Sequence, residues 1–351
     1  MVNQKSEHPI LSVWRNPAKG MLLRLVPLFL AVIILISVLI LISKNPGNSL
    51  YYFFTGPLIS LRKASQFLEA AALLILTGGA VSIAFQSGSV NLGGEGQTYS
   101  GALTAAFFAI TISALPAWLG VPLTLVAAAL TGAAVGAVSG ALKRFFSTNE
   151  FISTYLVSII LIILIDYLLA GPFRDPKSYL ISSPSIPSHL QIGPLFSIPI
   201  LPAVLLPAVL SALLLYFLLY RTTWGYELRL TGLNPVFAEY GGINIKAYML
   251  YPLTVSGAIH GFAGGFTVLA TYGACVQGGT AGLGWNGLAV ALIARTNPLF
   301  VIPSALLFAY LEQGLDSAML FSDVSFELSF LVQATVLFLI TSTAFRKQGD
   351  T

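Results

Sequence analysis

Long apolar stretches alternate with short polar connections along most of this chain. A helix that crosses the hydrocarbon core of a bilayer needs about 20 apolar residues, so stretches of about 17–25 such residues predict transmembrane helices. The pattern predicts ten crossings, of which the eighth is too short to cross alone unless the residues before it contribute. The predicted spans are 24–43, 66–85, 98–115, 121–142, 151–170, 198–220, 247–271, 285–294, 298–315 and 326–345.

The distribution of basic residues predicts the orientation of these spans. With the N-terminus in the cytoplasm, twelve of the 17 Lys and Arg residues fall in cytoplasmic segments, as the positive-inside rule requires. Both termini are therefore predicted to be cytoplasmic. The predicted organisation is a cytoplasmic region 1–23, a membrane domain 24–345 with a cytoplasmic loop at 221–246, and a cytoplasmic tail 346–351.

A short sequence similarity between the two halves of the chain predicts an inverted repeat. "LGGEG" at 92–96 and "LGWNG" at 283–287 each precede a helical stretch, and in the predicted topology these stretches run in opposite directions. Inverted repeats with broken helices that meet near the bilayer midplane are typical of transporters. The predicted fold is thus an all-α, polytopic membrane helix bundle in which spans two to five and seven to ten are repeats.

Composition excludes several other classes of protein. The chain is 56% hydrophobic and 9% charged, whereas soluble domains carry about 25% charged residues. Its single cysteine, Cys275, excludes an internal disulfide and a cysteine-based metal site, and no metal site is predicted. The net charge of +4 is spread too widely for a nucleic-acid surface. Lipid is therefore the expected environment.

Enzyme signatures are missing from the sequence. No glycine is followed by lysine, so there is no P-loop, and neither His-Glu-x-x-His nor Gly-x-Ser-x-Gly occurs. This disfavours a membrane-embedded enzyme. An ion-coupled secondary transporter stays open as an alternative, although the chain lacks a deep relay of acidic residues.

The stretch "SGSVNLGGEGQ", 87–97, combines four glycines with polar side chains beside an apolar segment. Irregular backbone at membrane depth is tolerated only against protein or a water-filled cavity. The stretch is interpreted either as a broken helix that lines a solute path or as a simple cytoplasmic loop, and 277–287 is interpreted in the same way. Glu95 is expected either to contact the solute or to brace the broken helix. The candidate path residues are Asn91, Glu95, Gln97, Trp285 and Asn286.

The stretch "TGLNPVFAEYGGIN", 231–244, predicts a short capped helix inside the cytoplasmic loop. Asn234 can serve as its N-cap, with Pro235 at the first helical position. Gly241 and Gly242 offer a left-handed end. Such a helix is too short to be stable without packing against another surface.

Two motifs resemble permeases of the branched-chain amino acid, sugar and nucleoside ABC importer superfamily. "SGSVNLGGEGQTYSGA" resembles the segment after their second span, most closely in the nucleoside and riboflavin branch. "RTTWGYELRLTGLNPVFAEYGGIN", 221–244, resembles their cytoplasmic loop, with a departure at Gly241. The resemblance covers most of residues 65–345.

The resemblance implies a function and a set of partners. The capped helix would be the coupling helix that docks on a separate ATPase subunit, which hydrolyses ATP with Mg²⁺, so this chain would bind no cofactor. The alternative is an ordinary capped loop helix. The assembly would include a second permease, here as a heterodimer, and a substrate-binding lipoprotein, in the bacterial cytoplasmic (inner) membrane. A purine nucleoside is the first candidate solute, with riboflavin, a simple sugar or a branched-chain amino acid as alternatives. The implied coupling residues are Arg229, Gly232, Asn234, Pro235, Glu239 and Gly242.

Overall fold

A computed structural model describes residues 32–34, 36–37, 39–41, 43–280 and 282–323, with the side chain of Ser197 excepted. Within these ranges the chain forms helices and no strand, which confirms the all-α prediction, and its one isolated β-bridge joins Ser182 to Val276. The tenth predicted span, 326–345, and the predicted terminal regions 1–23 and 346–351 lie outside the described residues, as does most of the first span, 24–43.

From residue 43 to residue 323, the described part of the chain forms eleven α-helices, α1 to α11 in chain order. They are Pro46–Thr55, Leu61–Gln86, Gly94–Thr111, Ala117–Phe146, Glu150–Ala170, Leu205–Arg221, Thr223–Leu233, Pro235–Tyr240, Ile245–Phe266, Leu283–Ile293 and Pro298–Phe321. Helix α9 continues as a π-helical segment, Thr267–Tyr272. Three short 3₁₀ turns lie at Gly56–Leu58, Ser188–Leu190 and Leu195–Ser197.

Five helices of the described ranges are long and apolar enough to cross a membrane, namely α2, α4, α5, α9 with its π-helical end, and α11. A sixth candidate is the pair α6 and α7, which meet at a bend of 75°. Helix α10 has 11 residues and is as short as predicted. Helix α3 begins at Gly94, four residues before the predicted start at Thr98.

Residues Pro57–Gln313 form one compact unit. Its core contains a helix contact made by glycines, because a side chain on Gly132 of α4 would meet the Cα of Gly261 of α9 at 2.8 Å. Gly136 of α4 likewise faces Leu253 and Gly257 of α9. Small residues at helix contacts let backbones approach closely in membrane proteins. Gly132 and Gly136 therefore pack α4 closely against α9.

Helix α2 is the most deeply buried span of this unit, with every residue from Ala71 to Ala84 buried. The C-terminal end of α2 joins a hydrophobic cluster that contains Ile83, Leu219 of α6, Leu228 of α7 and Tyr248 of α9. Burial of apolar side chains stabilises such a cluster even where a helix is short. The bent pair α6–α7 is thereby anchored to the transmembrane helices.

The long loop between α5 and α6 is paired with the segment that follows the π-helical turn. Ser183 N–H donates to the carbonyl of Cys275 at 2.8 Å, Ile186 N–H to that of Gly273 at 2.8 Å, and Gln277 N–H to that of Ile181 at 2.9 Å. These bonds satisfy backbone groups of an irregular loop, and such groups are costly to leave unpaired.

The other compact unit comprises the residues up to Gly56 and those from Gly314 onward. In its described part, Gly314 of α11 packs on Phe53 of α1, and the rings of Tyr52 and Phe321 lie 5.1 Å apart. Asp323 receives the Ser43 hydroxyl at 2.7 Å and the Lys44 N–H at 2.5 Å. The carboxylate thus joins the end of α11 to the residues before α1.

Candidate functional site

Residues 87–93, here called the glycine strip, connect α2 to α3 without forming a helix. Hydroxyls of α5 hold the strip and the start of α3, since Leu92 N–H donates to Thr154 Oγ1 at 3.1 Å and Gly96 N–H to Ser158 Oγ at 2.8 Å. Lys143 Nζ donates to Ser89 Oγ and to the Glu150 carboxylate, each at 2.8 Å. The strip is therefore a braced irregular segment rather than an open loop.

Sequence reasoning missed these braces. A signal for two of them is present, because Thr154 and Ser158 stand four residues apart in a largely apolar span and so share one helix face. Hydroxyls on one face of a membrane helix are well placed to bond a neighbouring segment.

Asn91 and Gln97 form one buried hydrogen-bonded pair. Asn91 Nδ2 donates to Gln97 Oε1 at 2.8 Å and to Ser256 Oγ of α9 at 2.9 Å. Asn91 Oδ1 accepts the N–H of Gly93 at 2.9 Å. Because the two amides are 2% and 1% exposed, their polar groups in this conformation are used to hold the strip.

Glu95 joins the starts of two helices. It lies in the first turn of α3, yet its carboxylate accepts the Thr280 hydroxyl and the N–H groups of Gly282 at 3.3 Å and Gly284 at 2.8 Å. A carboxylate is stabilised at a helix N-terminus by the unpaired N–H groups and the helix dipole. Its donors thus lie at the N-terminus of α10 and not in its own helix.

The two similar stretches, "LGGEG" at 92–96 and "LGWNG" at 283–287, contact each other. A side chain on Gly284 would collide with the backbone at Gly94 and Glu95, so α3 and α10 start back to back with their backbones in contact. The starts of α3 and α10 therefore meet at one buried carboxylate, which α3 carries and the N-terminus of α10 binds.

The two candidate residues on α10 make different contacts. Trp285 is half-buried, and its ring lies edge-to-face with that of Tyr155 of α5, with centroids 5.9 Å apart. Asn286 is buried, and its Nδ2 donates to Glu312 Oε1 at 3.1 Å. All five candidate path residues thus lie on the glycine strip, at the start of α3 or at the start of α10.

The loop 221–246, which the sequence predicts to be cytoplasmic, contains two helices where the sequence predicted one. Helix α7 was missed, although Thr222 caps it by accepting the N–H of Gly225 at 3.1 Å. Helix α8 has the predicted boundaries, because Asn234 Oδ1 accepts the N–H of Phe237 at 3.0 Å and Pro235 follows as the first helical residue. Gly242 has the predicted left-handed backbone, with a φ of 81°.

The segment 233–240 presents an apolar outer surface. Leu233, Val236, Phe237 and Tyr240 are 84%, 61%, 59% and 89% exposed, and Glu239 is exposed among them. We call these five residues the α8 surface. Arg229 is turned inward instead, with its guanidinium 4.6 Å from the ring centroid of Tyr220. The guanidinium therefore packs within the subunit.

The end of α7 contacts the glycine strip directly. A side chain on Gly232 would lie 2.7 Å from the backbone nitrogen of Gly88, which itself has a left-handed φ of 72°. Gln86, just before the strip, donates to the hydroxyl of Tyr220 at 3.2 Å. The loop that carries the α8 surface is therefore packed against the segment that leads to Glu95.

Among the described residues, no group of three or more His, Cys, Asp or Glu side chains is arranged to hold a metal ion. His260, buried beside Gly94, uses its Nδ1 on the Ser256 carbonyl at 2.9 Å.

The family "Branched-chain amino acid transport system / permease component" matches residues 64–341. The chain belongs to this family and is a multi-pass membrane permease of the ABC transporter class. It is 30% identical over 317 residues to the probable riboflavin import permease protein RfuC of Treponema pallidum, covering 90% of this chain and 84% of that protein.

Two further relatives carry nucleoside names. The chain is 25% identical over 336 residues to the nucleoside ABC transporter permease protein NupB of Lactococcus lactis, covering 93% of this chain and 92% of that one. It is 30% identical over 283 residues to the guanosine ABC transporter permease protein NupP of Bacillus subtilis, covering 77% and 78% of the two chains.

Proposed function

We propose that this chain forms the solute path of an ABC importer for a small polar solute, with a purine nucleoside as the first candidate. The observation that carries the proposal is the contact between Gly232 and Gly88, because it joins an exposed docking surface to a buried helix junction. The nucleoside and guanosine names of two relatives support the choice of solute.

The α8 surface is the proposed docking site for the ATPase subunit. Its apolar side chains are exposed on a helix of six residues, which is too short to be stable without further packing. A groove on the partner would cover these side chains and supply that packing. The ATPase would bind and hydrolyse ATP with Mg²⁺, consistent with the absence of a P-loop from this sequence.

The proposed path runs along the junction of α3 and α10, past Trp285 and the glycine strip. Glu95 braces the junction in this proposal, since its oxygens already receive a hydroxyl and two N–H groups. Irregular backbone such as the strip lines cavities in transporters because nearby protein and water satisfy its polar groups. Asn91 and Gln97 would become available to the solute only when the strip moves.

The remaining topology belongs to the same proposal. We infer ten spans with both termini in the cytoplasm, and an inverted repeat that relates spans two to five to spans seven to ten. The contact between "LGGEG" and "LGWNG" supports the repeat, because inverted repeats bring such broken helices together. The membrane is the bacterial cytoplasmic (inner) membrane.

The proposed assembly contains a second permease, two ATPases and a substrate-binding lipoprotein. Similarity to two guanosine permeases of Bacillus subtilis, NupP and NupQ, supports a heterodimer of permeases. Riboflavin is the second candidate solute because of the relative in Treponema pallidum, followed by simple sugars and branched-chain amino acids. An ion-coupled secondary transporter is the remaining alternative.

Co-purification tests the docking proposal, and labelling tests the topology. The tagged chain should retain the ATPase encoded beside it, whereas deletion of 234–241 should abolish retention and leave the permease in the membrane. A cysteine introduced near Lys177 should react with an impermeant reagent in intact cells, and one near the C-terminus should not. Retention of the ATPase by the deletion variant refutes the docking site, and external labelling of the C-terminus refutes the topology.

A further inference from the structure

We propose that Tyr155 and Trp285 form an aromatic binding platform for the planar heterocycle of the transported solute. This proposal rests on the proposed importer function and narrows its substrate class to solutes with a flat ring system. Tyr155 is absent from both motifs that identified the family, so its assignment comes from the structure.

The helix junction fixes both rings. Tyr155 directly follows Thr154, whose hydroxyl accepts the N–H of Leu92 in the glycine strip at 3.1 Å. Trp285 directly follows Gly284, whose N–H donates to Glu95 at 2.8 Å. A ring held by packed backbone on either side of the junction is pre-organised, which lowers the cost of binding a ligand.

The rings are accessible and incompletely covered. Tyr155 is 39% exposed and Trp285 is half-buried. Their planes are inclined at 64°, so the ring that offers its edge to the other keeps both of its faces uncovered by that partner. An uncovered aromatic face is where a flat heterocycle stacks, and every nucleobase has such a face.

The polar groups of the two rings indicate that the rings face a water-filled solute path and not lipid. Neither the Tyr155 hydroxyl nor the Trp285 indole N–H has a hydrogen-bond partner among the residues that the structure describes, although Ile152 and Leu156 around Tyr155 are exposed apolar side chains. An unpaired polar group is costly in hydrocarbon and inexpensive beside water or a polar solute. The tips would therefore face the solute path.

Uptake kinetics of the complete importer in proteoliposomes test the platform. We expect Tyr155→Leu and Trp285→Leu, which keep apolar volume and remove the ring, to raise KM for guanosine or riboflavin about tenfold. Tyr155→Phe keeps the ring and should raise KM less than Tyr155→Leu does. Tyr167→Leu is the matched control, because Tyr167 is an exposed tyrosine of the same helix three turns further on.

A measurement of tryptophan fluorescence tests solute binding without the leucine variants, which could assemble poorly with their partners. With Trp14, Trp118 and Trp224 replaced by phenylalanine, only Trp285 emits, and a ring solute should quench this emission saturably whereas glucose should not. Three results would overturn the platform while the permease function stands. They are an unchanged KM in both leucine variants, no quenching at solute concentrations that saturate uptake, and wild-type uptake of glucose only. Failure of the unmodified chain to retain an ATPase overturns both.

Discussion

Gly88 and Gly232 touch through their backbones. A side chain on Gly88 would lie 3.0 Å from the Cα of Gly232, and one on Gly232 would lie 2.7 Å from the nitrogen of Gly88. Gly232 lies at the end of α7, next to the α8 surface, whereas Gly88 lies in the glycine strip, next to the end of α2. Packed contacts without room for a side chain transmit displacement because interiors are not readily compressible. We therefore expect movement of α8 to reach the strip through this contact.

Gly232→Ala should uncouple ATP hydrolysis from uptake. The added methyl group meets backbone atoms of Gln86, Ser87 and Gly88, none of which can rotate away. Overpacking of this kind costs about 1–3 kcal/mol, so we expect a lower melting temperature and a large loss of uptake at normal ATPase association. The measurement compares ATP hydrolysed with solute transported in the same proteoliposomes.

Gly193→Ala is the matched control for that substitution. A Cβ at Gly193 meets no atom within 4 Å, so the variant should transport normally. Equal coupling in the Gly232→Ala and Gly193→Ala proteins would show that the contact between Gly88 and Gly232 carries no displacement.

Glu95→Gln should lower the stability of the permease. The amide keeps the shape of the side chain, but its NH₂ group replaces a carboxylate oxygen that receives an N–H group or the Thr280 hydroxyl. Losing a charge-assisted hydrogen bond costs about 1.5–3 kcal/mol, which we expect to appear as reduced abundance and a lower melting temperature. If Glu95→Gln instead kept wild-type abundance and lost only uptake, Glu95 would be a solute ligand and not a brace. Glu239→Gln, on an exposed residue, controls for the effect of the change in charge on abundance and melting temperature.

Phe237→Ala with Tyr240→Ala should abolish ATPase association and leave the permease stable. Both side chains are more than half exposed, so their removal changes few contacts within the chain. The experiment measures the ATPase retained by the tagged permease and the melting temperature of each preparation. Tyr179→Ala, on an exposed residue of the loop between α5 and α6, is the control and should retain the ATPase fully. Full retention by the double variant would contradict the docking site.

Asp323 gives the stability of the fold a pH dependence. Hydrogen bonds from the Ser43 hydroxyl and the Lys44 N–H hold the pKa of this carboxyl below its ordinary value of 3.8. Its folded-state pKa is depressed, so the ionised group contributes stability above pH of about 4 and loses that contribution as the pH falls through the folded value. The difference in melting temperature between wild type and Asp323→Asn should be present at pH 7 and vanish in strong acid. A difference that does not change with pH would contradict this assignment.

The sequence predicted the local parts of this fold well. Caps and stops come from residues close together in the chain, so Asn234, Pro235 and Gly242 have the predicted roles in α8. Gly132 and Gly136 of α4 stand four residues apart, so they lie on one helix face, and both pack against α9.

The sequence did not predict which distant groups meet. The residues around Glu95 do not indicate its partners, which lie at 280–284, about 190 residues further along the chain. Helix α7 was missed because its residues are only moderately apolar, and its stability comes from packing Leu228 against Ile83, Leu219 and Tyr248. The braces from Thr154 and Ser158 likewise depend on a tertiary contact that no local pattern specifies.

ATP-dependent uptake is the most direct test of the proposed importer. Proteoliposomes that contain this chain, the second permease, the ATPases and the binding protein are loaded with ATP and given radiolabelled guanosine and riboflavin. We expect uptake that needs ATP and persists when an uncoupler removes ion gradients. Uptake should disappear when the importer contains the double variant Phe237→Ala, Tyr240→Ala. Uptake that continues without ATP and collapses with the uncoupler would contradict it, because the chain would then work as an ion-coupled transporter.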